Sequence, residues 1–170
     1  MCARFDAELI YMPIFLGGIF KTIGNTTPVS IKPKGAWMFD DISRYAKYYG
    51  VPFEMNPHFI FNSLPAMRGA VWAESEGCLE NYNKAMFEAA WIDGKNVGDA
   101  DGMQAIAKDA EIDAAVLANA IQLPDIKKTL LDYTNQAVER GVFGAPTIFV
   151  EGVMHFGQDR LPWVERVLSS

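Results

Sequence analysis

A chain of 170 residues is the size of one ordinary domain. Its 15 Lys and Arg against 21 Asp and Glu leave a net charge of −6, which argues against the basic face that a nucleic-acid partner requires. Half the residues are apolar and 12% are aromatic, enough for a packed core and too many for a disordered chain.

In chain order, Ala7 to Phe15 (AELIYMPIF) mixes β-branched and aromatic residues ahead of Gly17 and Gly18 and reads as a buried strand. Gly17 to Lys34, with three Gly, two Pro and the run Gly24-Asn25-Thr26-Thr27-Pro28, reads as a long loop with room for one short helical turn. Trp37, Ile42, Tyr45 and Tyr49 recur at helical spacing, and Gly50 is a natural stop. From Ser63 to about Arg140 the pattern is helical throughout. Ser63, Asp99 or Asp101, and Asp113 are its candidate caps, and Pro124 opens the last helix. Pro146 to Val150 and Val153 to Phe156 then alternate as strands around Glu151-Gly152, a hairpin, and a short amphipathic helix runs from Leu161 to Leu168.

The longest apolar stretch, Ile10 to Phe20, is too short for the roughly 20 residues of a membrane span. No basic segment followed by an apolar one opens the chain, so no signal peptide is expected and the cytoplasm is the expected location. Cys2 and Cys78 fit that compartment and form neither a Cys-x-x-Cys pair nor a thiolate zinc site.

The order strand, helical insert, strand, strand, helix resembles an α/β thioredoxin-like fold of DsbA type with an inserted all-helical domain. More narrowly, the chain resembles the 2-hydroxychromene-2-carboxylate isomerases and kappa-class glutathione transferases. The likeness is carried by Met12 to Phe20, Gly24-Asn25, Pro33-Lys34-Gly35, Asp41 to Ala46, Gly50 to Phe53, Gly141 to Thr147 and Phe156 to Leu161. It implies a discontinuous thioredoxin-like domain of residues 1–53 and 141–170 around an inserted helical domain of residues 54–140. It also implies a first strand and helix ahead of Ala7, whose loop carries the Ser that faces the glutathione sulfur, so no catalytic residue is assigned within the chain. Three explanations fit that departure: a start placed too late, an element swapped in from a second copy, or a chain that has lost the segment.

The resemblance makes glutathione the cofactor and assigns its contacts. Pro146 is implied to be cis, exposing the backbone N–H and C=O of Ala145 to the cysteinyl group; on the residues alone it is equally an ordinary Pro opening a strand. Gln158 and Asp159 match the pair that holds the γ-glutamyl end, where a free amino group wants a carboxylate, and Asp159 is also a candidate cap for the last helix. Lys34 is implied to reach the glycyl carboxylate, with Asn25 beside it, against the ordinary fate of a solvated surface Lys. Arg160 is expected to pair with a neighbouring carboxylate. His58 and His155 match no family site. Trp37, Trp72 and Trp91 are expected mostly in the core, with a few aromatics lining a cleft for a small aromatic substrate.

The implied activity is glutathione-dependent isomerisation of a 2-hydroxychromene-2-carboxylate-type compound in aromatic breakdown, by a homodimer. The alternatives are a kappa-like transferase and a non-catalytic glutathione- or partner-binding remnant. A disulfide oxidoreductase is disfavoured, because it needs a low-pKa Cys at a helix N-terminus.

Overall fold

A computed structural model describes residues 1–169. Eight α-helices and one two-stranded sheet are described. They are α1 (Leu16–Ile23), α2 (Lys32–Tyr49), α3 (Leu64–Ser75), α4 (Leu79–Trp91), α5 (Ala100–Asp109), α6 (Ala114–Ala120), α7 (Pro124–Glu139), β1 (Thr147–Val150), β2 (Val153–Phe156) and α8 (Leu161–Leu168).

The largest core lies among α3 to α6. Ala66, Ala70 and Ala73 on α3 face Ala85, Ala89 and Tyr82 on α4, and small side chains let the two helices come close. Tyr82 is fully buried, and its hydroxyl donates to the Ala66 carbonyl at 2.8 Å, so the one polar atom brought inside is satisfied. Asp99 accepts from the Gly102 N–H at 2.9 Å, and Asp113 from the Ala115 and Val116 N–H groups at 2.7 and 3.1 Å, capping α5 and α6 as their positions predict. At α3 the capping side chain is Asn62 rather than Ser63: its Oδ1 accepts from the Leu64 N–H at 3.1 Å.

A second core joins α3 to α7 through Val71, Ile126 and Leu130. A third, of Ile19, Ala137 and Val142 with Ile14 and Phe149, sits between α1, α7 and the hairpin. Thr134 on α7 fastens the chain there. Its buried hydroxyl accepts from the Phe15 N–H at 3.0 Å and donates to the Leu130 carbonyl at 2.7 Å.

β1 and β2 pair antiparallel with Thr147 opposite Phe156 and Val150 opposite Val153. Glu151 and Gly152 both have positive φ, 48° and 80°, as the two central residues of a type I′ turn require.

Two expectations are corrected. Ala7 to Phe15 forms no ladder, and the only sheet among the described residues is the β1–β2 pair. Leu9 is 55% exposed and Ile10 74%. A β-branched run becomes a strand only where a neighbouring backbone takes up its N–H and C=O groups. The expected Gly17–Lys34 loop instead contains α1, a 3-10 turn at Pro28–Ser30 and the first turn of α2. Leu16, Ile19, Phe20 and Ile23 form a helical stripe, and burial of Ile19 against α7 outweighs the poor helix propensity of Gly17 and Gly18.

Candidate functional site

The hairpin brings two separated segments together. Because Thr147 faces Phe156, the residues on either side, Gly144 to Pro146 and Gly157 to Arg160, leave the sheet at the same end. The Gly157 N–H donates to the Pro146 carbonyl at 3.0 Å and locks them side by side. The Ala145–Pro146 peptide is cis, and both residues are exposed. The Thr147 hydroxyl donates back to the Gly144 carbonyl at 2.8 Å and holds the approach to that bond. The rings of Phe143 and Phe156, which flank the two segments, pack at 4.6 Å.

Asn25 joins this cluster from α1's C-terminal side. Its Nδ2 donates to the Phe143 carbonyl at 3.0 Å, and its Oδ1 accepts from the Thr26 N–H at 2.8 Å. Two residues 118 apart in sequence thereby fix the loop after α1 against the strand entry.

Gln158 and Asp159 lie in a 3-10 turn, Gln158–Arg160, between β2 and α8. Gly157 enters the turn with φ 107°, and a Cβ there would collide with the Asp159 carboxylate, so glycine alone leaves that carboxylate its place. Asp159 does not cap α8, which has no side-chain cap bond; its Oδ2 instead pairs with Arg160 Nη2 at 3.1 Å. The reason is local: a 3-10 turn leading straight into α8 makes Arg160, not Asp159, the residue at the cap position. The pairing expected for Arg160 is present. The pair is half exposed, and such pairs contribute little to folding.

Tyr49, the last residue of α2, donates its hydroxyl to the Gln158 carbonyl at 2.9 Å. Partial desolvation and the neighbouring Tyr45, Tyr48 and Asp159 hold its phenol above the ordinary value, so it remains a donor at neutral pH. Lys34 stands at the other end of the same helix, exposed, fifteen residues or about 22 Å of helix rise from Tyr49. Among the described residues no ion pair engages it.

A groove of about 640 Å³ opens beside the turn. Tyr45 and Tyr49 of α2 form one wall, Phe87 and Trp91 of α4 with Phe53 the other, and Gln158 closes one end. Phe53 stacks on Trp91 at 5.7 Å and 24°, and the groove is almost wholly apolar apart from Lys84 and Glu88 at the rim. Of the three Trp expected mostly in the core, Trp91 lines this groove, Trp72 packs on the α3–α6 core, and Trp37 is 60% exposed. Trp37 lies on α2, of which Gly35 alone is buried. His155 is half buried, and among the described residues its Nε2 has no hydrogen-bond partner.

The structure thus gathers Asn25, Ala145, Pro146, Gln158 and Asp159 at one end of the hairpin and leaves Lys34 apart. Sequence reasoning missed Tyr49 as a member of this group. Its only signal was a Tyr as the final helical residue before Gly50, and nothing local couples that position to residue 158.

Comparison with known proteins agrees with this architecture. A family profile described as DSBA-like thioredoxin domain matches residues 2–169. The 2-hydroxychromene-2-carboxylate isomerase of Sphingobium xenophagum is 29% identical over 170 residues, covering 99% of this chain and 86% of that protein. Glutathione S-transferase kappa 1 of Homo sapiens is 28% identical over 178 residues, covering 96% of this chain and 79% of that protein. A solved 2-hydroxychromene-2-carboxylate isomerase superposes with a TM-score of 0.88 at 24% identity, over 99% of this chain and 83% of that one, and shares the fold.

Proposed function

The chain belongs to the DSBA-like thioredoxin domain family, and from that premise we propose that it is a glutathione-dependent isomerase of 2-hydroxychromene-2-carboxylate-type aromatic compounds. One observation carries the reading: the cis Ala145–Pro146 bond and the Gln158–Asp159 turn meet at one end of the hairpin, beside an aromatic-lined groove. The names of the curated relatives point the same way, some being 2-hydroxychromene-2-carboxylate isomerases and others glutathione transferases.

In this reading glutathione lies across the hairpin's end. Its cysteinyl backbone pairs with the N–H and C=O of Ala145, as an extended peptide adds to an open edge. Its γ-glutamyl amino group meets the Asp159 carboxylate, and Asn25 serves the glycyl end, while Lys34, at the far end of α2, is left without a part in the pose. Held there, glutathione would supply a thiolate able to add reversibly to the substrate's conjugated system, the chemistry that frees an exocyclic double bond to rotate and leaves glutathione unconsumed. The chain's own residues bind and orient both molecules.

The substrate's rings occupy the groove between α2 and α4, with Phe87 as one wall. Phe87 is 57% exposed, so replacing it leaves the fold intact. Phe87→Ala raises the KM for the aromatic substrate about three- to tenfold, the size of one lost aromatic contact. An unchanged KM in steady-state assays removes the groove from the reading.

The test of the activity is absorbance-monitored turnover of 2-hydroxychromene-2-carboxylate with and without glutathione. Isomerisation that needs glutathione but does not consume it supports the proposal. The kappa-type relatives favour a second reading, transfer of glutathione to an electrophile, which consumes one glutathione per turnover. Saturable glutathione binding without either reaction points to a non-catalytic binding module.

A further inference from the structure

We propose that Tyr49 is a positioning residue for the γ-glutamyl end of glutathione, acting through its hydroxyl's bond to the Gln158 carbonyl. The inference rests on the glutathione reading above and goes beyond it, since neither the family likeness nor the relatives' names single out this residue.

The geometry is specific. The turn Gln158–Arg160 is three residues long, has no side-chain cap, and follows a glycine in a backbone region that side chains rarely adopt. Such a segment has few contacts of its own to fix it. Two bonds reach it from outside the hairpin-to-α8 passage: the Gly157 N–H to the Pro146 carbonyl at 3.0 Å, and the Tyr49 hydroxyl to the Gln158 carbonyl at 2.9 Å. The first fixes the turn's entry. The second comes from a different part of the molecule, 109 residues away, and fixes its first residue, directly beside Asp159.

Asp159 also has a competitor for its charge in Arg160, at 3.1 Å. Whether its carboxylate meets an incoming ammonium or stays folded onto Arg160 depends on where the turn's backbone sits. Tyr49 controls that backbone from outside. The ring itself is held by Tyr45 and Tyr48, at centroid distances of 5.8 and 5.1 Å, so the hydroxyl is aimed by packing on α2. Removing the oxygen alone leaves that packing in place.

The test compares wild type, Tyr49→Phe and Tyr48→Phe by isothermal titration with two probes. One is glutathione. The other is N-acetylcysteinylglycine, which lacks the γ-glutamyl amino and carboxylate groups. Tyr49→Phe is expected to weaken glutathione binding about three- to tenfold, the worth of one hydrogen bond, and to leave the truncated probe's affinity unchanged. Tyr48 is 77% exposed, and Tyr48→Phe is expected to bind both probes as wild type does. A merely structural role would weaken both probes together, and that result overturns the proposal. So does a Tyr49→Phe variant that binds glutathione as tightly as wild type while Asp159→Ala loses it; in that case the glutathione reading stands and the role of Tyr49 falls. A folded wild type that binds neither probe takes down the reading itself, and the Tyr49 assignment with it.

Discussion

Asp159→Ala weakens glutathione binding about ten- to a hundredfold in a calorimetric titration, the range expected when a charge-assisted hydrogen bond is lost. The loss has two parts. The ligand's ammonium loses its carboxylate partner, and it then faces Arg160, whose guanidinium has lost the carboxylate it was paired with. Folding is not a confounding factor, because the Asp159–Arg160 pair is half exposed and an exposed pair contributes at most about 1 kcal/mol. Arg160→Gln separates the two parts: it frees Asp159 and is expected to bind glutathione as well as wild type or better. If Asp159→Ala binds as wild type does, glutathione's amino group lies elsewhere and the orientation drawn across the hairpin is wrong.

Gly69→Ala is expected to have the largest effect on stability, lowering it by about 2–4 kcal/mol. A Cβ on Gly69 would lie 2.6 Å from Tyr82 Cζ and closer still to its hydroxyl oxygen. Tyr82 is fully buried and its hydroxyl is committed to Ala66, so the ring can yield only by breaking that bond or parting α3 from α4. Burial also pushes the Tyr82 phenol well up, so ionisation offers no escape at ordinary pH. In a domain of this size the melting temperature should fall by about 5–15 °C in a circular dichroism melt. Tyr82→Phe removes the clashing oxygen, so the double variant should be less destabilised than the sum of the two singles. A melting temperature unmoved by Gly69→Ala would mean that the two helices do not approach as closely as the alanine stripe suggests.

Much of this fold is legible in the sequence because its signals are local. Glu151-Gly152 between two β-branched runs specifies the hairpin, and Asp99, Asp113 and Pro124 mark helix starts that the structure contains. The failures are places where the outcome depends on distant chain. Ala7 to Phe15 has strand composition, but composition supplies no partner backbone. α1 carries two glycines, and its helix depends on a surface of α7 more than 100 positions away. The candidate site divides the same way. Asn25, Ala145, Pro146, Gln158 and Asp159 came from likeness to a family, and their meeting at one end of the hairpin was not readable from spacing. Tyr49 lay outside both routes, since a hydrogen bond across 109 residues has no local signature.

The three cores have a consequence for how the molecule breathes. α7 is common to two of them, gripping α3 through Ile126 and Leu130 and α1 and the hairpin through Ala137. No partial opening can expose the middle of α7 without loosening both ends of the protein, so its amides should exchange with solvent deuterium only through global unfolding. α2 is the opposite case, since Gly35 is its one buried residue. Its amides should exchange by local opening while the rest stays protected, and ligand occupancy should slow them most near Tyr49. The helix that aims the hydroxyl is therefore also one that what binds can steady.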